Sequence, residues 1–458
     1  MNISNLTKSQ RQLIENLAPK RARIPMALGL IVLGLHTTQA KADWPQWRGP
    51  GGLGVSTETN VLLDWSADRG VLWRTPLPGR GHSSPVVMGD RVFLTTDIEG
   101  EVIPGAKAVK HVLEGEDFRH PESTGADRRH ELRVLCLDAK SGKLLWNQLA
   151  YAGPAFDDRH RKGSYAAPTV AAEADRVFAF FGSEGLYCFD FKGSLVWSNQ
   201  LGGIASLGLG PGASPVVGEK TVIVQCDQDE GTNSFIAGFD KRIGRQIWKA
   251  TRKVSASWST PIVVQTAGGE QVIASGQETI SAYDTTTGEQ VWSHEGLENN
   301  AVPSPVASPQ VVYLVSGYPK KRVLAIALSG RGDLTGTTNL LWKYERGAGY
   351  VPSPLLLGND LYLMTDSGQL SRLDAKTGEV RYDSERLPDP AKFTASPLAV
   401  AGHLLLTSEA GDTFVVRAGA KHEFVRKNPI GEKVYASLAV ADGRLFIRGE
   451  TNLFCIGR

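Results

Sequence analysis

A four-part pattern recurs along nearly the whole chain and constrains the fold more than any other feature. Each copy opens with a small residue and a proline, continues with two strands around a polar turn, and closes with a third strand, a turn and a strand carrying Trp. Seven openings keep the small residue and proline, and Ser437-Leu438 marks an eighth; the seven are Ser84-Pro85, Ala167-Pro168, Ser214-Pro215, Thr260-Pro261, Ser304-Pro305, Ser353-Pro354 and Ser396-Pro397. After the first interval, the openings lie 41 to 49 residues apart, a spacing typical of four-stranded propeller blades.

The closing half of the pattern has a local physical explanation. Its best copies run from Asp138 through Gly142 to Trp146, from Asp240 to Trp248 and from Asp284 to Trp292. The Asp side chain accepts backbone N–H bonds within the turn, and Gly permits a positive φ between two strands. Two variants are Asp190 to Trp197, one residue shorter, and Asp374 to Tyr382, with Tyr in the Trp position.

The two ends of the repeat array complement each other. Residues 434–458 contain only three strands, whereas residues 71–75 form an isolated strand with a Trp. Pairing them would complete a blade and cover two sheet edges. We therefore predict an all-β fold, an eight-bladed β-propeller of four-stranded antiparallel blades closed by an N-terminal strand. Residues 71–458 then form the propeller after a leader at 43–70, and residues 97–133 form a charged surface-loop insertion in the first blade.

Residues 1–42 have the features of a secretory signal peptide. Basic residues at positions 20–23 precede an apolar stretch at 24–35, and Ala40-Lys41-Ala42 supplies the cleavage pattern, so the mature chain is predicted to start at Asp43. The apolar stretch is too short for a stable spanning helix, which needs about 20 residues; a retained membrane anchor is the alternative. The sequence predicts export to the periplasm or the cell exterior, without a transmembrane segment after cleavage.

Charge and cysteine content narrow the classes of partner. The formal net charge is +2, and removal of six basic groups and one acidic group with residues 1–42 leaves about −3, which gives no electrostatic case for nucleic-acid binding. We expect a monomer. The four cysteines, Cys136, Cys188, Cys226 and Cys455, show no CxxC spacing or adjacency and are predicted to be small buried apolar residues.

The repeats resemble the PQQ-like, or quinoprotein-like, propeller family. The resemblance rests on the segments from Leu137 to Trp146 and from Ala282 to Trp292 and covers nearly all of residues 71–458. Trp44-Pro45-Gln46-Trp47-Arg48-Gly49-Pro50 looks like the leader motif of an uncharacterised subgroup of secreted propellers, common in planctomycete-like and acidobacterial genomes. The outer-membrane assembly lipoproteins, which are similar in their ring, are scaffolds without a cofactor; this chain has no lipobox.

The resemblance implies that PQQ with calcium is possible, but the sequence makes no cofactor evident. Quinoprotein alcohol dehydrogenases place PQQ near a vicinal disulfide, a calcium ion and a catalytic Asp, and this chain has no Cys-Cys pair. Asp227, Asp229 and Glu230 could supply oxygen ligands for calcium, although a polar hairpin is the default interpretation because the full calcium-loop pattern is missing. We predict no metal site and assign no catalytic residue.

One position in each repeat, three residues before the proline, should surround the mouth of the central channel. Aromatic or His side chains occupy it in four copies, and Tyr350 lies one residue earlier in another. Arg80 and Arg252 flank the region and could hold an anion. The predicted ligand-binding residues are therefore His82, Tyr165, Trp258, Tyr350, Tyr435, Arg80 and Arg252. The alternative is that these side chains pack between blades.

These observations favour a binding or protein-interaction scaffold, whose partner at the mouth is a small molecule, a peptide or an envelope protein. The alternative is a PQQ-dependent oxidoreductase with an atypical site. The segment Asp157-Asp158-Arg159-His160-Arg161-Lys162 is interpreted as self-paired surface charge, with a rim contact for a partner as the alternative. His111, His120 and His130 in the insertion lack a tight metal-ligand spacing.

Overall fold

The predicted propeller is confirmed by a computed structural model, which describes residues 43–113, 115–229 and 231–458. Eight sheets of four antiparallel strands form the blades, and the predicted signal peptide lies outside the described residues. Within the described part of the chain, no helix is long and apolar enough to cross a membrane.

The strands follow one another with short turns. The first half of the ring contains β1 (Val71–Pro76), β2 (Val86–Met88), β3 (Arg91–Val102), β4 (His111–Leu113), β5 (Glu116–Phe118), β6 (Ser123–Thr124), β7 (Arg128–Asp138), β8 (Leu144–Pro154), β9 (Arg159–His160), β10 (Ala171–Glu173), β11 (Arg176–Phe180), β12 (Leu186–Asp190), β13 (Leu195–Asn199), β14 (Val216–Val217), β15 (Thr221–Cys226), β16 (Phe235–Asp240), β17 (Gln246–Thr251), β18 (Ile262–Thr266), β19 (Gly269–Ala274), β20 (Thr279–Asp284) and β21 (Gln290–Glu295). The second half contains β22 (Val306–Ala307), β23 (Val311–Ser316), β24 (Arg322–Ala327), β25 (Gly332–Asp333), β26 (Leu340–Tyr344), β27 (Leu355–Leu357), β28 (Asp360–Met364), β29 (Leu370–Asp374), β30 (Val380–Glu385), β31 (Leu398–Val400), β32 (His403–Thr407), β33 (Asp412–Arg417), β34 (Glu423–Pro429), β35 (Ala439–Ala441), β36 (Arg444–Arg448) and β37 (Asn452–Ile456). Short 3₁₀ segments lie at Pro50–Gly52 and Gly182–Glu184.

Four blades form from consecutive strands, and blades 1, 4, 5 and 8 depart from that order. Blade 1 has the order β2-β3-β7-β8, and blades 2, 3, 6 and 7 follow chain order from β10, β14, β27 and β31. In blade 4, β25 adds a parallel fifth strand beside β21, and blade 5 therefore uses β26 as its outermost strand. Blade 8 has the order β1-β37-β36-β35, so an N-terminal strand closes the ring.

The Trp of one blade packs over the turn glycine of the next, which explains why the motif keeps both residues. Trp248 donates its indole N–H to the Thr285 carbonyl at 3.0 Å, and Trp146 and Trp342 make equivalent bonds to Phe191 and Ala375. A Cβ on the facing glycine would come within 2.5–3.0 Å of the ring; these glycines are Gly142, Gly193, Gly244, Gly288 and Gly378. The glycine is therefore needed for close approach as well as for positive φ.

Substituting one such glycine should separate the two requirements. Gly288→Ala places a Cβ 2.6 Å from the Trp248 ring at φ +74°, whereas Gly358→Ala has φ +60° and no atom within 4 Å. We expect Gly358→Ala to cost about 1 kcal/mol from backbone strain and Gly288→Ala to cost about 2 kcal/mol more from overpacking. Chemical denaturation of both variants measures the difference, and equal losses would show that only the backbone angle matters.

Hydroxyl groups link the innermost strands into a belt. The backbone N–H of the residue that opens each blade donates to the hydroxyl of the next opening residue at 2.8–3.0 Å, in the order Ser84, Thr169, Ser214, Thr260, Ser304, Ser353, Ser396, Ser437. At the seam between blades 8 and 1, Arg448 instead donates to the Ser83 carbonyl at 3.1 Å. The feature that the eight blade openings share is therefore a hydroxyl group, and not merely a small side chain.

The first part of the leader, residues 44–56, lies in the channel. Trp44 exchanges backbone hydrogen bonds with Val87 on the innermost strand of blade 1, and Gly54 and Ser56 bond to Ala399 on that of blade 7. Between them, the buried Arg48 donates to the Pro354 carbonyl of blade 6 at 2.6 Å. Because one segment contacts innermost strands around the ring, residues 44–56 lie inside it and reach the level of the hydroxyl belt.

The apolar core lies between neighbouring blades. Phe178 and Trp197 of blade 2, for example, share a cluster with Val222 and Phe239 of blade 3. The four cysteines are buried free thiols within these cores, as predicted. Each blade is therefore stabilised mainly by its two neighbours, which makes ring closure important for the whole fold.

The insertion in blade 1 has more regular structure than the expected surface loop. β3 and β7 pair as far as Val102 and Arg128, so much of the range 97–133 extends the blade itself. The remaining residues, 103–127, contain a β4–β5 hairpin and the strand β6, and β6 pairs with β9 beyond the blade. We call residues 103–127 the cap; because the strands are antiparallel, the cap lies on the face where the innermost strands begin, the mouth face.

Candidate functional site

Of the predicted mouth residues, Tyr165 and Trp258 line one small cavity, and the other five lie elsewhere. In blade 2 the position three residues before the proline lies two residues out of register with its counterpart in blade 1, because β2 begins two residues after Ser84 and β10 begins two residues after Thr169. The blade 2 counterpart of His82 is therefore Ala167 rather than Tyr165. Tyr165 is 2% exposed beneath the cap, where its hydroxyl donates to the Asp157 carbonyl at 2.7 Å.

His82 and Tyr435 form an aromatic pair at the seam between blades 1 and 8. Their ring centroids are 4.7 Å apart, and both side chains are half-buried. Burial, together with the charges of Arg448, Arg80 and Arg159, lowers the pKa of His82 to about 3. His82 is therefore neutral at physiological pH and can offer a hydrogen-bond donor and acceptor but no charge.

The neutrality of His82 can be measured directly. We expect the ¹³C shift of its imidazole to stay constant between pH 8 and pH 5, because the pKa of about 3 lies well below this range. His82→Gln identifies the resonance among those of the nine histidines. A titration midpoint near pH 6.5 would show that neither burial nor the neighbouring guanidinium groups lower the pKa of this ring.

The remaining predicted residues are placed separately. Arg80, half-buried near the seam, donates to the Arg161 carbonyl at 2.8 Å. Tyr350 lies on blade 6 and packs against Tyr318 with ring centroids 5.5 Å apart. Arg252 is buried, and its guanidinium pairs with Asp227 at 2.7 Å, so its charge is already neutralised within the protein.

Trp258 borders a small polar cavity between blades 2, 3 and 4. Its indole N–H donates to the Gly210 carbonyl at 2.9 Å, and the cavity of about 40 Å³ beside it also contacts Asp157, Glu184 and Asp227. This volume holds a water molecule or two but no substrate. Burial raises the pKa of Glu184 to about 7, although the Phe156 N–H bonds its carboxylate.

A buried charge cluster holds the cap on the ring, and the sequence did not indicate it. His111 of the cap lies between two carboxylates, with Nε2 2.9 Å from Asp157 and Nδ1 2.7 Å from Asp229. Asp157 also accepts the N–H groups of Ser206 and Gly208. Burial lowers the pKa of His111, but hydrogen bonds and charges of the two carboxylates outweigh it and raise the pKa to about 10.

The interpretation of residues 157–162 as solvated surface charge was wrong for its first three residues. Asp157, Asp158 and Arg159 are each about 5% exposed or less, because the cap covers them. Arg159 pairs with Glu99 at 2.8 Å, and a second buried pair joins His130 and Asp97 at 2.9 Å beside it. The sequence shows that both the insertion and the loop 157–162 are rich in charged residues. Their complementary charges could have predicted that the two segments contact each other.

Two open clefts lie on either side of one cap segment. A cleft of about 610 Å³ has walls formed by residues 106–111, Phe118 and Asp158, among others. A second cleft of about 560 Å³ lies between residues 106–109 and the end of β8 with Phe156. These are large enough for a ligand or a peptide segment.

The residues present do not match the chemistry of a PQQ site. The cysteines belong to four different blades, so none can form a vicinal disulfide. Among the described residues, no group of three or more His, Cys, Asp or Glu side chains is arranged to hold a metal ion. Asp227 and Asp229 are paired with Arg252 and His111, and Glu230 lies outside the described residues. We therefore derive no reaction step through this cofactor.

Comparisons with known proteins agree with the architecture. A family model described as outer membrane protein assembly factor BamB matches residues 130–382, more than half of the chain. The uncharacterized protein RC0314 of Rickettsia conorii is 24% identical over 286 residues, which cover 58% of this chain and 62% of that relative. The match therefore spans less than two thirds of that relative's length.

Solved structures give the same fold at low identity. BamB from Moraxella catarrhalis has a TM-score of 0.51 and 15% identity, covering 79% of this chain and 98% of that one. Quinohemoprotein alcohol dehydrogenase from Comamonas testosteroni has a TM-score of 0.60 and 12% identity, covering 91% and 81%. A europium-containing methanol dehydrogenase has a TM-score of 0.59 and 10% identity, covering 91% and 98%. An assembly factor and two dehydrogenases thus have this architecture, so the fold alone does not assign a function and the residues of the site must decide it.

Proposed function

The chain belongs to the propeller family of the outer membrane protein assembly factor BamB, and from that premise we propose that it is an exported protein-interaction scaffold. Its binding surface is the mouth face, including the cap and the aromatic pairs around the channel. The predicted signal peptide supports export to the periplasm or the cell exterior, and we propose that the mature chain acts there as a monomer. The proposal assigns it no catalytic activity.

One observation carries this proposal: part of the protein's own leader lies in its channel. Residues 44–56 occupy the ring up to the hydroxyl belt, and Arg48 donates to blade 6 from inside it. The buried acids beneath the cap are already paired with His111 and Arg252 or with backbone N–H groups. A rigid ring with an occupied centre and an elaborated face is suited to presenting a surface.

Reconstitution tests the scaffold against a PQQ-dependent oxidoreductase. Purified protein is incubated with PQQ and Ca²⁺, and a quinoprotein dehydrogenase is treated in parallel as a positive control. We expect no stoichiometric change in the PQQ absorption spectrum and no alcohol-dependent dye reduction. Stoichiometric PQQ binding with dye reduction would overturn the scaffold assignment.

Site-specific photo-crosslinking in the native host tests which face binds. A photoreactive amino acid replaces Phe156 or Tyr318, which are 40% and 53% exposed on the mouth face. Matched controls carry it at Lys140 and Lys376 in exposed turns of the opposite face. We expect discrete adducts from the first pair only, and equal adducts from both faces would contradict a mouth-face binding surface.

A further inference from the structure

Four consecutive backbone units of the cap make no hydrogen bond within the part of the chain that the structure describes. Ala106 ends a turn by donating its N–H to the Ile103 carbonyl, and β4 begins at His111. Between them, the backbone of residues 107–110 makes no hydrogen bond with any described residue. Unpaired backbone groups of this kind form an edge to which another strand can add.

The space beside this edge has the dimensions of a strand. The cleft of about 560 Å³ separates residues 106–109 from residues 151–156, and among the described strands β8 pairs with β7 alone, on its other side. An extended strand rises about 3.3 Å per residue, with about 4.8 Å to its neighbour and about 10 Å between side-chain layers. On these dimensions the cleft has room for about four residues of an extended chain.

The side chains around the edge specify the kind of segment. Ala106, Ala108, Val109 and the 40% exposed Phe156 provide apolar contacts. Lys107 is exposed and forms no ion pair with a described residue. Apolar walls beside an unpaired cation are complementary to a peptide that combines apolar and carboxylate side chains.

We propose that residues 106–110 are a strand-addition site for an extended peptide of a partner protein that carries apolar and carboxylate side chains. The peptide pairs with the free backbone groups of residues 107–110, its apolar side chains pack against Val109 and Phe156, and its carboxylate approaches Lys107. This inference rests on the proposed function, because it assigns a location and a peptide chemistry to the mouth-face surface.

The test uses the full mature protein and a fluorescein-labelled peptide of sequence Val-Glu-Val-Thr-Val-Glu-Val, followed by fluorescence anisotropy. A copy N-methylated at alternate residues keeps every side chain but cannot form the ladder. Ala108→Pro removes an N–H that is unbonded in the free protein, and Lys107→Glu reverses the charge. We expect each change to weaken binding about tenfold or more, whereas Lys192→Glu, in an exposed turn of the opposite face, leaves binding unchanged.

A second peptide, with Lys in place of Glu, tests the charge contact in reverse. We expect this peptide to bind the Lys107→Glu variant more tightly than it binds the native protein. Equal affinity for the N-methylated peptide would overturn strand addition, even if Ala108→Pro failed to fold. Absence of native binding up to 1 mM peptide would overturn it as well. If mouth-face crosslinks persisted in Ala108→Pro, the protein would still bind a partner through that face, but at a place other than residues 106–110. The strand-addition site can therefore be refuted while the scaffold function stands.

Discussion

Replacing residues 71–76 with glycine and serine should lower the melting temperature by about 6 °C, since about 5 kcal/mol of stabilisation is lost from a chain of this size. The replaced strand, β1, pairs with β37 from Val71↔Ile456 to Pro76↔Asn452. Its Trp73 packs over Gly142 and donates to the Ala139 carbonyl at 3.2 Å. Differential scanning calorimetry measures the effect.

The expected magnitude follows from what β1 contributes. Each ladder hydrogen bond is worth about 1 kcal/mol net, and loss of a packed Trp costs about 3 kcal/mol or more. The replacement also leaves β37 as an exposed edge in a blade of three strands. Because each blade is held by its two neighbours, opening one seam weakens the ring beyond blade 8.

A circular permutant tests whether stability depends on the presence of β1 or on its attachment at the N-terminal end of the ring. The permutant runs from residue 77 to residue 458, continues through a flexible linker and ends with residues 43–76, so β1 is present but attached at the other end. We expect it to melt within a few degrees of the native protein. A replacement variant that melts like the native protein would refute the role of β1 in closing the ring.

The ring was predictable because its signals are local and repeated. Blade openings, Asp-to-Gly turns and Trp strands each lie within a few residues of chain, and eight copies average out the exceptions. The partial last copy and the isolated strand at 71–75 then determined the closure. The shift in blade 2 arose because Pro168 precedes Thr169 there, whereas in most other blades the proline follows the hydroxyl residue. The structure shows that the hydroxyl group, which bonds the neighbouring blade, defines the register.

The candidate site was less predictable because its contacts are distant and unique. His111 meets Asp157 across 46 residues and Asp229 across 118 residues, and no periodicity links such positions. The leader motif was recognised as a motif, but nothing local showed that Arg48 would bond blade 6 from inside the channel. His82 and Tyr435 did come together, since both belong to equivalent positions on blades that adjoin at the seam.

Substituting His111 should release the cap without opening the ring. Removing one partner from a buried ion pair costs about 3–5 kcal/mol, because the remaining charges are left uncompensated. Among the described residues, His111→Gln leaves Asp157 and Asp229 with backbone donors, so we expect tryptic cleavage at Lys107, Lys110 or Arg119 to accelerate about a hundredfold. The melting temperature should change little, since the cap lies outside the blade cores.

His120→Gln is the matched control, because His120 is a half-buried cap residue whose contacts are a backbone N–H and aromatic neighbours. Its cleavage rate should stay near that of the native protein. If both variants were cleaved equally fast, the cap would be held by its hairpins and not by the buried carboxylates.

The pH dependence of cap release provides an independent measure of the same cluster. The pKa of His111 is raised from 6.5 to about 10 in the folded protein, so its contribution is complete below about pH 6.5 and disappears as the pH approaches 10. Cleavage of the native cap by subtilisin, corrected with an unstructured peptide, should therefore accelerate between pH 7 and pH 10. His111→Gln should lack this acceleration, since no imidazolium remains to lose its proton. A native cap whose cleavage is independent of pH over this range would contradict a charged His111 between two carboxylates.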